Sequence, residues 1–195
     1  MATTTVQCSA DTQLVQGSPT TNIGTNVDFA IREQSNNDNQ NVCMRFVLPG
    51  LTGTITKINL RMLQSTGLTS ADGIYVNELT QTGWTELGAT WNKYDGTTDW
   101  SAAGGDYSGT LVDNANAPGV GNWISLGLYG ADAQNNISTS TFGQTINIIC
   151  RAPNLNNSVD KGGIFHSKDA VSEANRPYLE ITYTPTDTGN FFQFF

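Results

Sequence analysis

Several things are scarce in this chain of 195 residues, and each scarcity excludes something. Charged residues make up only 13%, and Lys and Arg together number 9 against 17 Asp and Glu, for a net charge of −8. A nucleic-acid partner is therefore not expected, because affinity for a phosphate backbone comes mainly from Lys and Arg. No apolar run approaches the roughly 18 residues that a membrane helix needs, so membrane insertion is not expected. Residues 1–7, Met-Ala-Thr-Thr-Thr-Val-Gln, lack the basic and apolar regions of a secretory leader. Cysteine occurs three times, as Cys8, Cys43 and Cys150; an odd count at these spacings excludes a full disulfide framework and does not suit a structural zinc. Buried or half-buried free thiols are the expectation. Histidine occurs once, at His166, so a nucleophile–histidine pair has a single place to be.

What is present is glycine, 20 in all, with much Thr, Asn and Ser, the balance of short strands joined by polar turns. From 28 to 33, Phe29 and Ile31 alternate with polar neighbours, and from 41 to 48 Val42, Met44, Phe46 and Leu48 fall on one face. Both predict half-buried strands, with the polar stretch Gln34–Gln40 as a solvated connection where a mutation costs little. Residues 55–64 put Ile58, Leu60 and Met62 on one side, and Asp72-Gly73 marks a turn before a strand over 74–79. Further strands are expected around Trp123–Leu126, Thr145–Cys150 and Tyr178–Tyr183, and the only hint of helix is at 131–137. About eight to ten short strands at this spacing predict an all-β, single-domain β-sandwich, jelly-roll-like. The expected organisation is an arm over 1–9, the sandwich over 10–185 and a tail over 186–195. Phe191, Phe192, Phe194 and Phe195 make that tail too apolar to leave in water, so it packs either on its own domain or, as an assembly anchor, on a neighbouring subunit.

Two distant segments, Trp84-Thr85-Glu86 to Trp91-Asn92 and Phe165-His166-Ser167-Lys168 followed by Arg176-Pro177-Tyr178-Leu179-Glu180, are similar to the paired signature of DNRLRE-type β-sandwich domains, which are related to carbohydrate-binding modules. Ala10-Asp11-Thr12, Asn22-Ile23-Gly24, Met44-Arg45-Phe46 and Ile55–Met62 resemble other strands and turns of that family, so the likeness runs from about 10 to 184. It implies a domain that holds and attaches rather than catalyses. It also implies a structural framework of Trp84, Glu86, Trp91, Arg176 and Pro177, with Glu86 and Arg176 as a charged pair.

Candidate glycan-binding residues lie outside that framework. Tyr94, Asp95, Asp99 and Trp100 share a long loop of aromatic, Asp and Gly residues, and Tyr107 follows it; such chemistry on a rigid scaffold suits polar recognition. Glu78, Glu86, Asp95, Asp99 and Asp106 are carboxylates of the kind glycosidases pair, but their spacing selects no pair, and the expectation is no enzyme and no catalytic residue. No cofactor is expected; a structural Ca²⁺ is a secondary expectation, through loop oxygens such as Asp11, Asn22 or Asp28.

Two functional expectations follow. The first is a non-enzymatic attachment or decoration subunit on a virion surface, assembled in the host cytoplasm and partnered by other virion subunits or by itself as a homo-oligomer. It reconciles a domain type of secreted proteins with an absent leader and odd thiols. The alternative is an extracellular carbohydrate-binding module that tethers a larger system to a polysaccharide.

Overall fold

A computed structural model describes residues 1–34, 38–50, 52–67, 73–138, 143–153 and 161–186. The chain is all-β, a curled antiparallel sheet folded on itself into a sandwich-like domain. Its strands in chain order are β1 (Ala2–Gln7), β2 (Ala10–Val15), β3 (Asp28–Glu33), β4 (Gln40–Val47), β5 (Gly53–Thr66), β6 (Ile74–Leu79), β7 (Tyr107–Ala115), β8 (Trp123–Tyr129), β9 (Thr145–Arg151), β10 (Lys161–His166) and β11 (Tyr178–Pro185). Residues 173–175 form one 3₁₀ turn. Among the described residues no helix is long and apolar enough to cross a membrane.

The first layer runs β1-β11-β5-β8. The second runs β7-β6-β9-β4, continued by β2 along β4 and by β3, which joins β10. The two layers are joined through β5. Up to Leu63 it pairs with β8 and β11, and at Gln64 and Thr66 it pairs with β10.

The main core lies between the layers, where the period-two alternation read from the sequence points inward. Val42, Met44, Phe46, Ile58, Leu60 and Met62 are fully buried there, against Leu179 and Ile181 of β11. A second, smaller core covers the other face of the second layer. Leu14, Cys43 and Ile149 pack under Trp84, Ala89 and Trp100 of the long segment between β6 and β7. This explains why β2 is buried along its whole length and why Cys43 is as buried as its neighbours Val42 and Met44. All three cysteines are buried and free, and burial raises each thiol well above its ordinary range, Cys150 to about 12.

Two expectations change. Residues 2–7, expected as an arm, are strand β1, paired with β11 from Ala2↔Tyr183 to Gln7↔Tyr178. Residues 131–137 hold turns and bends rather than helix, with the Ile137 N–H donated to Leu128 O. The middle of the Gln34–Gln40 connection, Asp72, and the tail aromatics Phe191, Phe192, Phe194 and Phe195 lie outside the described residues.

Candidate functional site

The segment between β6 and β7 is held onto the second layer by Trp84 and Arg45. Trp84 is 1% exposed and donates its indole N–H to Asn147 Oδ1 at 3.0 Å. The Arg45 guanidinium stacks 4.6 Å from its ring centroid and donates to the Trp84 and Thr82 carbonyls. A buried aromatic with its polar edge satisfied is a fixed point, and the chain beyond it is organised from there.

Residues 93–100 form a turn closed by the Tyr94 N–H donated to Thr98 O. Asp95 Oδ1 accepts the backbone N–H groups of Thr97 and Thr98 at 2.8 and 2.6 Å, and these bonds, Thr98 first, hold its carboxyl down to about 2. Lys93 Nζ pairs with Asp99 Oδ1 at 2.9 Å. Trp100 is 5% exposed, donates its indole N–H to Thr90 O at 2.9 Å, and packs on Tyr94 with ring centroids 5.8 Å apart. A sugar platform at Trp100 is thereby corrected: the ring lies in the second core with its polar edge spent. Asp95 is likewise committed to its own turn.

Tyr107 stands apart from those four. At 38% exposed it lines an open groove of about 620 Å³ whose walls come from β3, β4, β9 and the 80–107 segment. Arg151 lies 5.2 Å from the ring centroids of both Tyr107 and Tyr75 and donates Nε–H to Asn77 Oδ1 at 3.1 Å; the Tyr107 ring thus backs onto a fixed cation. Trp91 also lines the groove while packing on the second core. Its position depends on Gly104, which sits at φ +92, where a Cβ would come within 2.7 Å of the indole. The Gly104 N–H is donated to Trp91 O and its carbonyl accepts from Asn41 Nδ2. The rim is shaped by Asp106, whose carboxylate accepts the Ser101 and Ala102 N–H groups at 2.9 and 2.7 Å. Two aromatic rings, amide groups, a guanidinium and carboxylates in an open groove of this size suit a hydroxyl-rich ligand that is stacked and hydrogen-bonded. Of the residues expected to bind glycan, the structure brings only Tyr107 to this groove. Trp91 doubles as framework and wall; Arg151, Asn41 and residues 101–105 were not singled out from the sequence, and Asp106 was named there only as one of several carboxylates.

Of the remaining framework residues, Glu86 belongs to a polar node at the other end of the same segment. Glu86 Oε1 accepts the Asp11 N–H at 3.0 Å and pairs with Lys168 Nζ at 3.1 Å. This replaces the expected pair with Arg176, which instead reaches Glu173 at 3.4 Å and the Ala170 carbonyl at 3.0 Å. Pro177 is buried and its carbonyl accepts the Cys8 N–H. Asp11 is 2% exposed, and burial, offset in part by the Lys168 N–H donated to its Oδ2 at 2.7 Å, pushes its carboxyl up to about 7. Against its own burial, hydrogen bonds to Asp169 and Glu86 hold the Lys168 ammonium above its usual range.

Asp11, Glu86 and Asp169 each bring one oxygen within 4.8 Å of the others and are the described residues that could hold a cation; Lys168 Nζ already lies within 3.1 Å of two of them. Of the loop oxygens named from the sequence, Asp11 belongs to this cluster, while Asn22 and Asp28 are engaged elsewhere. Asn22 donates its amide to the Glu86 and Ala89 carbonyls, and Asp28 Oδ1 pairs with His166 Nδ1 at 2.8 Å.

No curated protein matches the chain. The model of one protein family, carbohydrate-binding module family 96, matches residues 2–104, a span that includes the Asp11–Glu86 contact, Trp84, Trp91 and Gly104.

Proposed function

The chain belongs to carbohydrate-binding module family 96, and from that premise we propose that it binds polysaccharide without transforming it, through the groove lined by Tyr107 and Trp91. The observation that carries this reading is the Tyr107 ring, exposed at the groove and backed by Arg151, with Trp91 held in the same groove by Gly104. Sugar C–H faces stack on such rings as bases do, and the amide and charged groups around them take the hydroxyls. An open groove admits a chain along its length rather than only a chain end.

The test is affinity electrophoresis of the full chain and of Tyr107→Ala in gels containing soluble polysaccharides, neutral and uronate-bearing. Loss of one stacking ring weakens binding by roughly 1–3 kcal/mol on the analogy of base–aromatic stacking, and Tyr107 is exposed enough that its removal leaves the melting temperature near that of the parent. Equal retention of both proteins across the panel would remove the groove as the site.

The narrower reading, a DNRLRE-type attachment subunit on a virion surface, is supported by low charge and the aromatic tail. It shares the glycan-binding premise, since a particle surface is one place such a module acts; the other is the extracellular space. Light scattering on the full chain and on a version ending at Pro185 decides it. An assembly that becomes a monomer on truncation supports the particle subunit, and two identical monomers leave the tethering module alone.

A further inference from the structure

The outer face of the first layer carries a second aromatic group, remote from the groove. Trp123 of β8 and Tyr178 of β11 are half-buried there, with ring centroids 5.2 Å apart and planes at 66°. Strand register explains the meeting. Leu63 of β5 is paired with Trp123, while Arg61 is paired with both Ser125 and Tyr178, so the two rings are diagonal neighbours across β5. These positions alternate with the fully buried Leu60, Met62 and Leu179, and the side chains therefore point away from the main core.

Arg61 lies beside this pair and is poorly satisfied. Its Nη2 reaches Glu180 Oε2 only at 3.5 Å, and its Nε is buried without a hydrogen-bond partner among the described residues, so the Nη groups are the donors it can offer at the surface. A guanidinium carries five donors, and leaving them unmade in a partly buried setting is unfavourable. Glu180 offers carboxylate oxygens as acceptors, and the two charges cancel. Around them β1 contributes Gln7 and Thr5, paired with Tyr178 and Glu180, and Lys57 pairs with Asp132 at 3.2 Å farther along β5, so the surface is two rings framed by hydroxyl and amide groups and two balanced ion pairs. Protein interfaces of useful affinity need a broader apolar centre than two rings supply.

We propose that this face is a second saccharide-contact surface, taking an uncharged, hydroxyl-rich sugar that stacks on Trp123 and Tyr178 and hydrogen-bonds the partly exposed Arg61 Nη groups and Glu180 carboxylate beside them. The ligand class rests on the family reading; the site is independent of the groove, since it lies on the other layer. A module with both surfaces engages polysaccharide at two places, which multiplies retention on a dense matrix without a new contact.

The experiment uses the full chain with Trp123→Ala, Arg61→Gln and Tyr107→Ala, run by affinity electrophoresis against mixed-linkage β-glucan, xyloglucan and galactomannan, with circular dichroism and light scattering on each protein. The expected result is roughly tenfold weaker retention of at least one of these by Trp123→Ala, the loss of one stacking ring, and weaker retention by Arg61→Gln, which keeps both rings. Should Trp123→Ala fail to fold, Arg61→Gln decides. Unchanged retention in the folded face variants together with loss in Tyr107→Ala overturns this proposal and leaves the groove standing. Loss in the face variants with no change in Tyr107→Ala supports the face and removes the groove. No retention of any of the three by the parent overturns the proposal, as does a parent dimer that Trp123→Ala converts to monomer, which would assign the face to a second copy of the chain.

Discussion

Trp100 illustrates how much of a residue's role is set by which way it faces. With its indole N–H donated to Thr90 and Tyr94 packed against it, it contributes to stability, and Trp100→Ala should cost about 3–5 kcal/mol, the usual range for a buried aromatic. Urea unfolding of the variant measures this, and glycan retention should fall only to the extent that the protein unfolds. Asp11 makes a prediction of a different kind. Its carboxyl is raised in the folded state from 3.8 to about 7, so the native protein holds a proton there that the unfolded chain releases. The sign follows from linkage: the contribution to stability is complete below about pH 4 and is lost as pH rises toward and through about 7. Asp11→Asn should flatten that part of the profile, which thermal melts between pH 4 and 8 in parent and variant would reveal. An identical slope in both would mean that Asp11 is not the titrating group. Asp11 was legible as part of a family strand, and Trp100 as an aromatic in a polar loop. Neither its burial nor the partnership of Asp11 with Lys168, 157 residues away, is encoded in local spacing.

Strands were readable wherever apolar residues alternate. β3, β4 and β5 appear in the structure close to the expected positions because Phe29, Ile31, Val42, Met44, Phe46, Ile58, Leu60 and Met62 all face one core. β1 escaped notice because its sequence, Ala-Thr-Thr-Thr-Val-Gln, offers one large apolar side chain and hence no alternation. β7 escaped because Gly109 and the irregular register against β6 interrupt its pattern. The groove was the least legible element of all. Its walls are assembled from β3, β4, β9 and the turn at 101–106, and only tertiary pairing brings these together. The β1 pairing leads to a direct expectation: deleting residues 1–7 exposes the edge of β11, an unpaired row of backbone groups. The truncated protein should melt at a lower temperature and self-associate, as size exclusion with light scattering would show. A monomer of unchanged stability would mean that β1 adds little.

At the scale of the whole molecule, the layout of surfaces matters more than any one residue. The groove belongs to the second layer and the Trp123–Tyr178 face to the first, with the main core between them. β5 hydrogen-bonds into both layers, so opening either layer disrupts pairing in the other. The single-domain, all-β class was legible because it needs only strand count and turn spacing; the relative placement of the surfaces depends on strand order, which no periodicity reports.

The pairing of β1 with β11 also sets how the molecule bears a load. Ala2 lies beside Tyr183, so force applied between those two ends pulls adjacent strands apart like a zipper, breaking hydrogen bonds one after another. Force entering at Trp123 and leaving through Pro185 instead runs along β11, whose pairing with β5 extends from Tyr178 to Pro185, and many bonds share the strain at once. Optical-tweezer pulling through the two ends should therefore open the protein at a lower force than pulling between residue 123 and the C-terminal end. A domain paired this way resists a load carried from Trp123 to Pro185 and yields easily when stretched between Ala2 and Tyr183.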